Sequence, residues 1–534
     1  MNQTTLLYNG RFYTIDPDQP TATAVAIRNG RILAVGSDDD LSDLTGITER
    51  INLNGRCVTP GLVDAHVHFK HFSLARQRVN LDGAHSLDEV LGRIQTRVDA
   101  EQTAVSWLQG WGWAQDQWPE RTFPTAAMLD QIVADRPAYL THKSGHAAWA
   151  NSRALQLTGI TATTADPTGG QIQRDADGQP TGILFEEAMK LVSAHIPPPT
   201  EAEIVAAMQQ AQAYCWQVGL TGIHDFDGRS CFQALQTLRH NGELGLRVVK
   251  NLPVALLEEA VGVGLRSGFG DEWLRIGSIK IFADGALGPK TAAMVDPYEG
   301  EPDNRGIVVV DKEEMLQYAL RASAAGLSLT VHAIGDRANH DVLDVYDAVR
   351  QQEQGQPPAQ PLRHRIEHVQ ILHPSDLTRL AELNVIASMQ PVHATSDMQM
   401  AERYWGKRTR YSYAWRTMLD TGATLVFGSD APIEAIDPLP GLHAAVTRCR
   451  ASGFPGPNGW HPEQRLTMPE AVRAFTLAAA ETSGQTATQG SITPGKLADF
   501  TIFSQDIFTM PADELLAVKV EGTVVNGRFH HRLF

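Results

Sequence analysis

The stretch Val58-Thr-Pro-Gly-Leu-Val-Asp-Ala-His-Val-His-Phe69 decides how the rest of the chain is interpreted. It is an apolar run, which predicts a β-strand, and it ends in two histidines at positions i and i+2. Successive side chains on a strand face opposite ways, so His66 and His68 share one face and can bind a single ion. One H-x-H pair is a weak signal. The hypothesis therefore depends on whether later strands also end in residues of the metal-ligand type.

The composition is that of an ordinary soluble globular protein and excludes several classes of partner. The chain has 534 residues, too many for one simple core, so we expect a large domain and at least one smaller one. With 43% hydrophobic and 20% charged residues, its net charge is −16. This charge argues against a nucleic-acid surface or an anionic membrane as partner. A small-molecule substrate and self-association into a homo-oligomer remain compatible with it.

The sequence pattern contains neither a targeting signal nor a cysteine motif. Residues 1–10 lack the basic and apolar blocks of a signal peptide, and no apolar stretch is long enough to span a bilayer. We therefore expect a cytoplasmic enzyme. The four cysteines lack C-x-x-C spacing, so we interpret them as small apolar packing residues rather than disulfides or zinc ligands. They are Cys57, Cys215, Cys231 and Cys449.

Both ends of the chain consist of short β segments separated by turn residues. Asn9-Gly10, Asn29-Gly30 and Asn526-Gly527 are each flanked by β-forming residues, and Asn-Gly is typical of a two-residue hairpin turn. Since these β-rich ends flank a long middle section, we expect residues 1–57 and 490–534 to pair into one small β-sandwich.

Residues 58–489 alternate apolar β runs with helical stretches, which is the pattern of a parallel sheet or barrel. Eight such runs are present, the number that a (β/α)₈ barrel requires. The predicted fold class is therefore α/β, with a TIM-type barrel as the large domain. The runs begin at Cys57, Leu220, Leu246, Arg275, Leu327, His364, Asn384 and Ala423.

A long segment, roughly residues 70–210, separates the first run from the second. It is far longer than one crossover connection needs. A loop at the C-terminal end of a barrel strand lies over the active face, so we expect this insertion to cap the active site. Within it, residues 169–185 have the pattern of a β-hairpin.

Residues of the metal-ligand type stand at the C-terminal ends of five of the eight runs. Each has an ordinary explanation when taken alone, as a satisfied polar histidine or a lysine whose amine reaches solvent. Taken together, they would require independent polar intrusions into apolar strands, all at the end where barrel enzymes carry their chemistry. Histidine and carboxylate side chains suit zinc or a similar divalent ion. The six residues are His66, His68, Lys280, His332, His368 and Asp430.

Lys280 is the unusual member of this set. A protonated ammonium is repelled by a dication and has no lone pair to offer, so the side chain contributes only after deprotonation or conversion. Reaction with CO₂ would give a carbamate, an anionic ligand with two oxygens that can bridge two metal ions.

The chain resembles the amidohydrolase superfamily of metal-dependent hydrolases and, within it, the YtcJ-like branch, amidohydrolase family 3. The six residues match the superfamily pattern one by one, and the resemblance covers essentially the whole chain. Further motifs of the branch are Gly145-His-Ala-Ala-Trp-Ala-Asn-Ser152, Ala283-Asp-Gly-Ala-Leu-Gly288, His332-Ala-Ile-Gly-Asp-Arg-Ala338 and Gly428-Ser-Asp-Ala-Pro432.

The resemblance implies a distorted TIM barrel and a hydrolase acting on carbon–nitrogen bonds other than peptide bonds, with an N-acyl or N-formyl small molecule as substrate. The expected cofactor is Zn²⁺, as one ion or as two. In the two-ion version, carbamylated Lys280 bridges the ions, His66, His68 and Asp430 hold one, and His332 and His368 hold the other. Asp430 is the expected general base, which later delivers the proton to the leaving amine.

Four further residues are candidates for the substrate-binding site. Gln390 ends the seventh run and would face the site, and Asp284 is expected to form hydrogen bonds near the metal ligands. His146 in the insertion would touch the reacting centre, with a structural loop role as the alternative. Trp113 would line an apolar acyl or aryl pocket, with the core of the insertion as the alternative.

Three alternative functions are compatible with parts of the pattern. A mononuclear deaminase of the same superfamily needs no ligand lysine and usually carries a glutamate shortly after the histidine of the fifth strand, whereas Ala-Ile-Gly-Asp-Arg follows His332 here. A hydrolase of cyclic amides, lactones or esters has the same fold and ligands, which do not choose among substrates. A non-catalytic scaffold would be expected to have lost ligand residues, and all six are present.

Overall fold

The computed structural model describes residues 4–100 and 106–534. The chain divides into two compact units, one of Met1–Phe72 with Met208–Phe534 and a second of Ser73–Ala207. We describe each unit by itself.

The centre of the first unit is an eight-stranded parallel sheet in which neighbouring strands follow the chain order. Val67, in the first strand, forms a parallel bridge with Ala431, just after the eighth, so the sheet nearly closes into a barrel. The fold is therefore α/β with an eight-stranded, nearly closed parallel barrel, as the number of apolar runs predicts. The barrel strands are Leu62–Val67, Leu220–Asp225, Arg247–Pro253, Leu274–Phe282, Ser328–Ala333, Arg365–His368, Ile386–Met389 and Leu425–Phe427.

Helices occupy the connections between the barrel strands, and their apolar faces are buried. In the longest, Val342, Val345, Tyr346 and Val349 recur at helical spacing and are fully buried, or nearly so. The helices of this unit and at its borders are Asp38–Ser42, Phe69–Gln77, Glu201–Gln217, Arg229–His240, Leu257–Gly262, Lys312–Ala324, Asp336–Gly355, Arg379–Glu382, Pro391–Trp405, Trp415–Asp420, Pro438–Thr447, Met468–Ala474 and Leu477–Ser483. Short 3₁₀ segments span Val254–Leu256, Pro374–Asp376, Gly406–Tyr411, Pro462–Gln464 and Ala512–Ala517.

The predicted strand at Cys57 is wrong as a single element, because the run divides in two. Cys57–Pro60 pairs with Phe500–Phe503 in a terminal sheet, and only Leu62–Val67 belongs to the barrel. Gly61 lies at the break, where an added Cβ would approach Thr221 Oγ1 to 2.2 Å. Glycine therefore lets the chain pass close to the second barrel strand while it changes sheets.

The first unit has two further sheets, one formed by residues 4–52 alone and the other by strands from near both ends of the chain. Their buried side chains share one hydrophobic cluster, which includes Phe12, Ile27, Phe500 and Val524. One sheet has the order Arg31–Gly36, Ala24–Arg28, Thr4–Tyr8, Glu49–Asn52. The other has the order Arg528–Arg532, Val520–Val525, Phe500–Phe503, Cys57–Pro60, Arg11–Tyr13, Thr21–Ala22.

Two of the three predicted Asn-Gly hairpins are confirmed. Asn29-Gly30 and Asn526-Gly527 each join paired antiparallel strands, and both residues of each turn have positive φ, as a type I′ turn requires. The hairpin at Asn9-Gly10 is wrong: the strands on its two sides belong to different sheets. Asn9 has the positive φ of a turn, but the chain crosses between sheets there instead of folding back.

The second unit contains one six-stranded mixed sheet and several short helices. The predicted hairpin at 169–185 corresponds to the antiparallel pair Gly170–Arg174 and Pro180–Glu186. The strands, in sheet order, are Gly170–Arg174, Pro180–Glu186, Ala147–Ala150, Ala138–His142, Leu108–Trp113 and Val79–Asn80. The helices are Leu87–Asp99, Ala126–Asp130, Ser152–Leu157 and Lys190–Ser193, with 3₁₀ segments at Gln115–Gln117 and Glu187–Met189. That the insertion caps the active site stays a prediction.

Across residues 4–100 and 106–534, no helix combines the length and the apolar character that crossing a membrane requires.

Candidate metal centre

The first and eighth barrel strands bring three of the predicted ligands together. The backbone N–H of Asp430 donates to the carbonyl oxygen of His66 at 2.7 Å, and the N–H of His68 donates to that of Ala431 at 2.8 Å. An added Cβ on Gly428 would lie 2.5 Å from the backbone nitrogen of His66, so glycine is needed for this close approach. The ends of the two strands are therefore fixed to each other.

His66, His68 and Asp430 form a cluster that could bind one ion. Their potential ligand atoms all lie within 4.8 Å of one another. Nε2 of His66 and Nε2 of His68 each lie 3.5 Å from Oδ1 of Asp430. The H-x-H spacing thus places both imidazoles on one face, as the strand geometry predicts.

In both His66 and His68, the second ring nitrogen, Nδ1, faces a carboxylate. Nδ1 of His66 lies 2.5 Å from Oε2 of Glu367, and Nδ1 of His68 lies 3.1 Å from Oδ1 of Asp227. In both rings this arrangement favours the tautomer that keeps the Nε2 lone pair free for an ion. Carboxylate partners of this kind orient metal-binding histidines.

The pKa values of His66 and His68 are shifted in opposite directions by their surroundings. Burial lowers the pKa of His66 well below its ordinary value, and the charge of Lys280 acts in the same direction. Burial also lowers the pKa of His68, but its hydrogen bond to Asp227 and the charge of that carboxylate outweigh this effect and raise the pKa. His66 is therefore held neutral, and the state of His68 depends on Asp227.

His332 and His368 lie beside this cluster, on the fifth and sixth strands. Their ring centroids are 4.5 Å apart, and the ring of His368 is 5.1 Å from that of His66. Nε2 of His332 lies 2.9 Å from the carbonyl oxygen of Gly285, which leaves Nδ1 as its free nitrogen. Burial lowers the pKa of His332 to about 3 and that of His368 well below its ordinary value, so both rings are neutral ligand candidates.

Lys280 is buried among these groups without a hydrogen-bond partner for Nζ in the part of the chain that the structure describes. Nζ lies 4.8 Å from the ring centroids of both Phe226 and Phe282. Burial lowers the pKa of Lys280 to about 8, against the opposing charges of Glu367 and Asp430. A lysine in this environment is more easily deprotonated than an exposed one.

His393 also belongs to this region, although no role for it follows from the sequence. Its Nε2 lies 4.0 Å from Oδ2 of Asp430, and its ring is stacked on that of His368 with centroids 6.0 Å apart. Within the described residues, neither ring nitrogen has a hydrogen-bond partner, and burial lowers the pKa to about 4. His368, His393 and Asp430 form a second group whose ligand atoms could hold an ion.

Two of these residues have a strained backbone conformation. His368 has φ of 77° and Asp430 has φ of 61°, both in the left-handed region that side chains other than glycine rarely adopt. Such conformations persist only where the surrounding structure imposes them, and they cluster at functional sites.

Three residues of this region, Glu367, Asp227 and Arg365, are not among the candidates that the sequence pattern indicates. Arg365 and Glu367 lie on the sixth barrel strand in the sequence Arg-Ile-Glu-His, and Asp227 follows the second strand closely. All three are almost completely buried. Charged residues inside a barrel strand are a signal that could have identified Glu367 and Arg365. Their partners depend on distant strands and cannot be deduced from spacing.

The four predicted substrate-binding residues have different surroundings. Oε1 of Gln390 accepts a hydrogen bond from Nδ1 of His368 at 2.8 Å. Asp284 is buried and accepts backbone hydrogen bonds from Ala293, Ile334 and Gly335 at 2.8–3.0 Å. Its Oδ1 also lies 3.5 Å from Nε2 of His332, so the carboxylate stands beside a proposed ligand.

The other two residues lie in the second unit. His146 is exposed, with Nδ1 3.0 Å from Glu186 Oε1. Trp113 is fully buried in the hydrophobic core of that unit and donates from Nε1 to the carbonyl oxygen of Leu140 at 2.9 Å. Its surroundings correspond to the alternative interpretation, a core residue, because no surface of the ring is open to a substrate.

The donor set fits a divalent metal ion. Four imidazoles and one carboxylate meet at one end of the barrel, and burial lowers the pKa of three of the imidazoles. Among the residues that the structure describes, Nζ of Lys280 has no hydrogen-bond partner. Uncompensated buried polar atoms are costly, and a cation beside Asp430 would satisfy the imidazole lone pairs.

Several known proteins are similar to this chain over most of its length. The model of a family described as "Amidohydrolase family" matches residues 49–531. LONG AFTER FAR-RED 3 of Arabidopsis thaliana is 34% identical over 98% of this chain and 91% of its own length. The N-substituted formamide deformylase of Arthrobacter pascens is 30% identical over 98% of this chain and 97% of its own length.

A solved structure extends the similarity to the fold. An uncharacterized metal-dependent hydrolase from Pyrococcus furiosus is 28% identical, with a TM-score of 0.76 over 95% of this chain and 100% of that one. Together with the family match, this similarity shows that the chain belongs to the amidohydrolase family and is a metal-dependent hydrolase acting on carbon–nitrogen bonds.

Proposed function

We propose that the protein hydrolyses the amide bond of an N-acyl or N-formyl small molecule. The observation that carries the proposal is the cluster of His66, His68 and Asp430 within 4.8 Å, with each histidine oriented by a carboxylate. The choice of substrate class is supported by the relative named N-substituted formamide deformylase, which is similar over nearly the full length of both chains.

We further propose which residues hold the metal. His66, His68 and Asp430 would bind one zinc ion, and His332 and His368 a second, with Lys280 converted to a carbamate between them. Carbamate formation requires the neutral amine of Lys280. Burial lowers the pKa of Lys280 to about 8, so the neutral amine is accessible near neutral pH. A bound divalent ion supplies Lewis acidity, which lowers the pKa of water and polarises a carbonyl group.

Asp430 is the proposed general base and, later, the proton donor. Burial raises its pKa to about 6, against the opposing charges of His68 and Lys280, so the group can accept a proton near neutral pH and release it again. The oxygen of water attacks the carbonyl carbon while its proton passes to the Asp430 carboxylate. The same proton then moves to the amide nitrogen as the C–N bond breaks, and the products are a carboxylic acid, or formate, and an amine.

Two buried side chains are proposed to hold the substrate carbonyl. Nε2 of Gln390 has no partner among the described residues, because the amide uses Oε1 to accept from His368. The ring nitrogens of His393 are also unpartnered in the described part of the chain, and one lies 4.0 Å from Asp430. Hydrogen bonds from these groups to the substrate would satisfy both side chains and orient the scissile bond.

Two features of the chain outside the site also remain proposals. The shared hydrophobic cluster supports a single β-sandwich formed by the two terminal sheets. The cytoplasmic location expected from the sequence is the other.

The test is a panel of N-formyl, N-acyl and cyclic amides with matched esters, assayed for amine release by the chain reconstituted with zinc or manganese. We expect the N-formyl or N-acyl amines to be cleaved with the highest kcat/KM. Activity confined to the esters, or to ring opening of the cyclic amides, would refute the proposed substrate class.

A further inference from the structure

A large cavity lies at the end of the barrel opposite the candidate metal centre. Its volume is about 590 Å³, which is in the range of cavities that hold small metabolites. Its walls include Arg275 and Ser278 near the start of the fourth barrel strand, Ser328 at the start of the fifth and Arg365 at the start of the sixth. The proposed ligands, in contrast, lie at the C-terminal ends of the strands.

The wall of this cavity is strongly basic. Five arginines line it, namely Arg266, Arg275, Arg321, Arg363 and Arg365, and none of the lining residues is an aspartate or glutamate. This is an unusual concentration of positive charge in a chain with a net charge of −16. A wall of this kind attracts anions and repels cations.

Two of these arginines form ion pairs: Arg321 pairs with Glu258, and Arg365 pairs with Glu367. For Arg266, Arg275 and Arg363, no carboxylate in the described ranges, 4–100 and 106–534, lies within the 4.0 Å of an ion pair. Among the described residues, nothing therefore neutralises these three guanidinium charges.

Arg275 and Arg363 also interact electrostatically with each other. Burial and the neighbouring charge of Arg363 both lower the pKa of Arg275. Nη2 of Arg275 donates to the carbonyl oxygen of Gly268 at 2.8 Å, but its Nε is buried and has no acceptor in the described part of the chain. The guanidinium of Arg363 donates to the carbonyl oxygen of Pro361 at 3.1 Å, its one hydrogen bond to a described residue. An anion bound between two guanidinium groups that repel each other, and that have donors left unused, would stabilise both.

We propose that this cavity is a binding site for a small anion with two or more negative charges, of the phosphate or carboxylate type. Arginine presents a planar set of donors that fits both groups through paired hydrogen bonds. Arg275 and Arg363 form the centre of the site, and Arg266 adds charge at the exposed part of its rim. The site is separate from the one that carries out hydrolysis, so its ligand is a second molecule rather than the substrate.

The test measures anion binding by the metal-loaded full-length protein with isothermal titration calorimetry. Inorganic phosphate and succinate are the two probes, and sodium chloride at the same ionic strength is the control for screening. We expect saturable binding of one anion per chain, and the better probe identifies the ligand class. Absence of saturable binding of either probe up to about 10 mM would overturn the proposal.

Variants locate the binding to this cavity. We expect R275Q/R363Q to bind the better probe at least about tenfold more weakly, since each lost charge-assisted hydrogen bond contributes on that scale. R153Q removes an exposed arginine of the second unit and should bind as the wild type does. If the double variant does not fold, R363Q alone serves, because this side chain is only half-buried and donates to one carbonyl. Unchanged affinity in the folded variant would overturn the assignment.

Discussion

Oε2 of Glu367 lies 2.5 Å from Nδ1 of His66, and both side chains are completely buried. The other carboxylate oxygen, Oε1, lies 2.5 Å from Nε of Arg365. A buried carboxylate needs such partners, because removing it from water is otherwise unfavourable. Glu367 therefore joins the imidazole of a proposed ligand to a buried arginine, and this connection determines which nitrogen of His66 is available to an ion.

The first prediction concerns this carboxylate. E367Q keeps the size of the side chain but removes the charge that orients His66 Nδ1–H, so we expect zinc affinity and kcat to fall about 10- to 100-fold. Titration with zinc in competition with a chromophoric chelator measures the zinc affinity. E382Q, which changes an exposed glutamate, is the control. Unchanged zinc affinity in folded E367Q would show that Glu367 does not support a ligand.

A second prediction distinguishes the role of Asp227 from that of its neighbour His71. Asp227 Oδ1 lies 3.1 Å from Nδ1 of His68 and 2.5 Å from Nδ1 of His71, whose side chain is 58% exposed. We expect D227N to lower zinc affinity about 10- to 100-fold, because His68 loses its orienting carboxylate. H71Q should stay within about threefold of the wild type, as exposed substitutions usually do. Equal losses in both variants would mean that His71 is itself a ligand.

A third prediction concerns the number of ions. If carbamylated Lys280 bridges the centre, wild-type protein purified with bicarbonate and zinc should contain two ions per chain, and K280A should contain one. Inductively coupled plasma mass spectrometry measures the ratio. K407A removes an exposed lysine and serves as the control. A fully active wild-type chain with a single ion would refute the two-ion version while leaving a mononuclear hydrolase possible.

The barrel could be predicted from the sequence, and the surroundings of the site could not. The eight strand positions follow from eight apolar runs that alternate with helical stretches, because a strand buried on both faces must be apolar. The break at Gly61 and the crossing at Asn9-Gly10 escape this pattern, since each depends on which sheet the chain joins next.

The same limit applies to the side chains around the proposed ligands. Strand ends identify His66, His68 and Asp430, because the ends of parallel strands meet at one face. Glu367, Asp227 and His393 act through contacts between residues far apart in the chain, for example 301 positions between His66 and Glu367. Only the closure of the barrel brings these groups together.

A fourth prediction is a pH-dependent contribution to stability away from the site. Burial raises the pKa of Glu353, but its hydrogen bond to His364 and other partners outweigh this and lower it from 4.5 to about 2. Because the folded-state pKa is the lower one, ionised Glu353 stabilises the fold above about pH 4.5, and the contribution is lost as the pH falls toward 2.

The substitution E353Q measures this contribution. At pH 7 we expect its free energy of unfolding to be lower than that of the wild type by roughly 1–3 kcal/mol. Urea unfolding repeated at decreasing pH should show the difference shrinking below about pH 4.5. A difference that is constant from pH 7 to pH 3 would contradict the assigned ionisation of Glu353.

The central claim is that a metal centre with Asp430 as its proton carrier breaks the amide bond, and amine release from an N-substituted formamide tests it most directly. Chelator-treated protein should be inactive and should regain activity with zinc or manganese. D430N, reloaded and with its metal content measured, should lose at least about a thousandfold in kcat, because both a ligand and the general base are removed. Wild-type rates of amine release by the metal-free chain, or by D430N, would contradict the account.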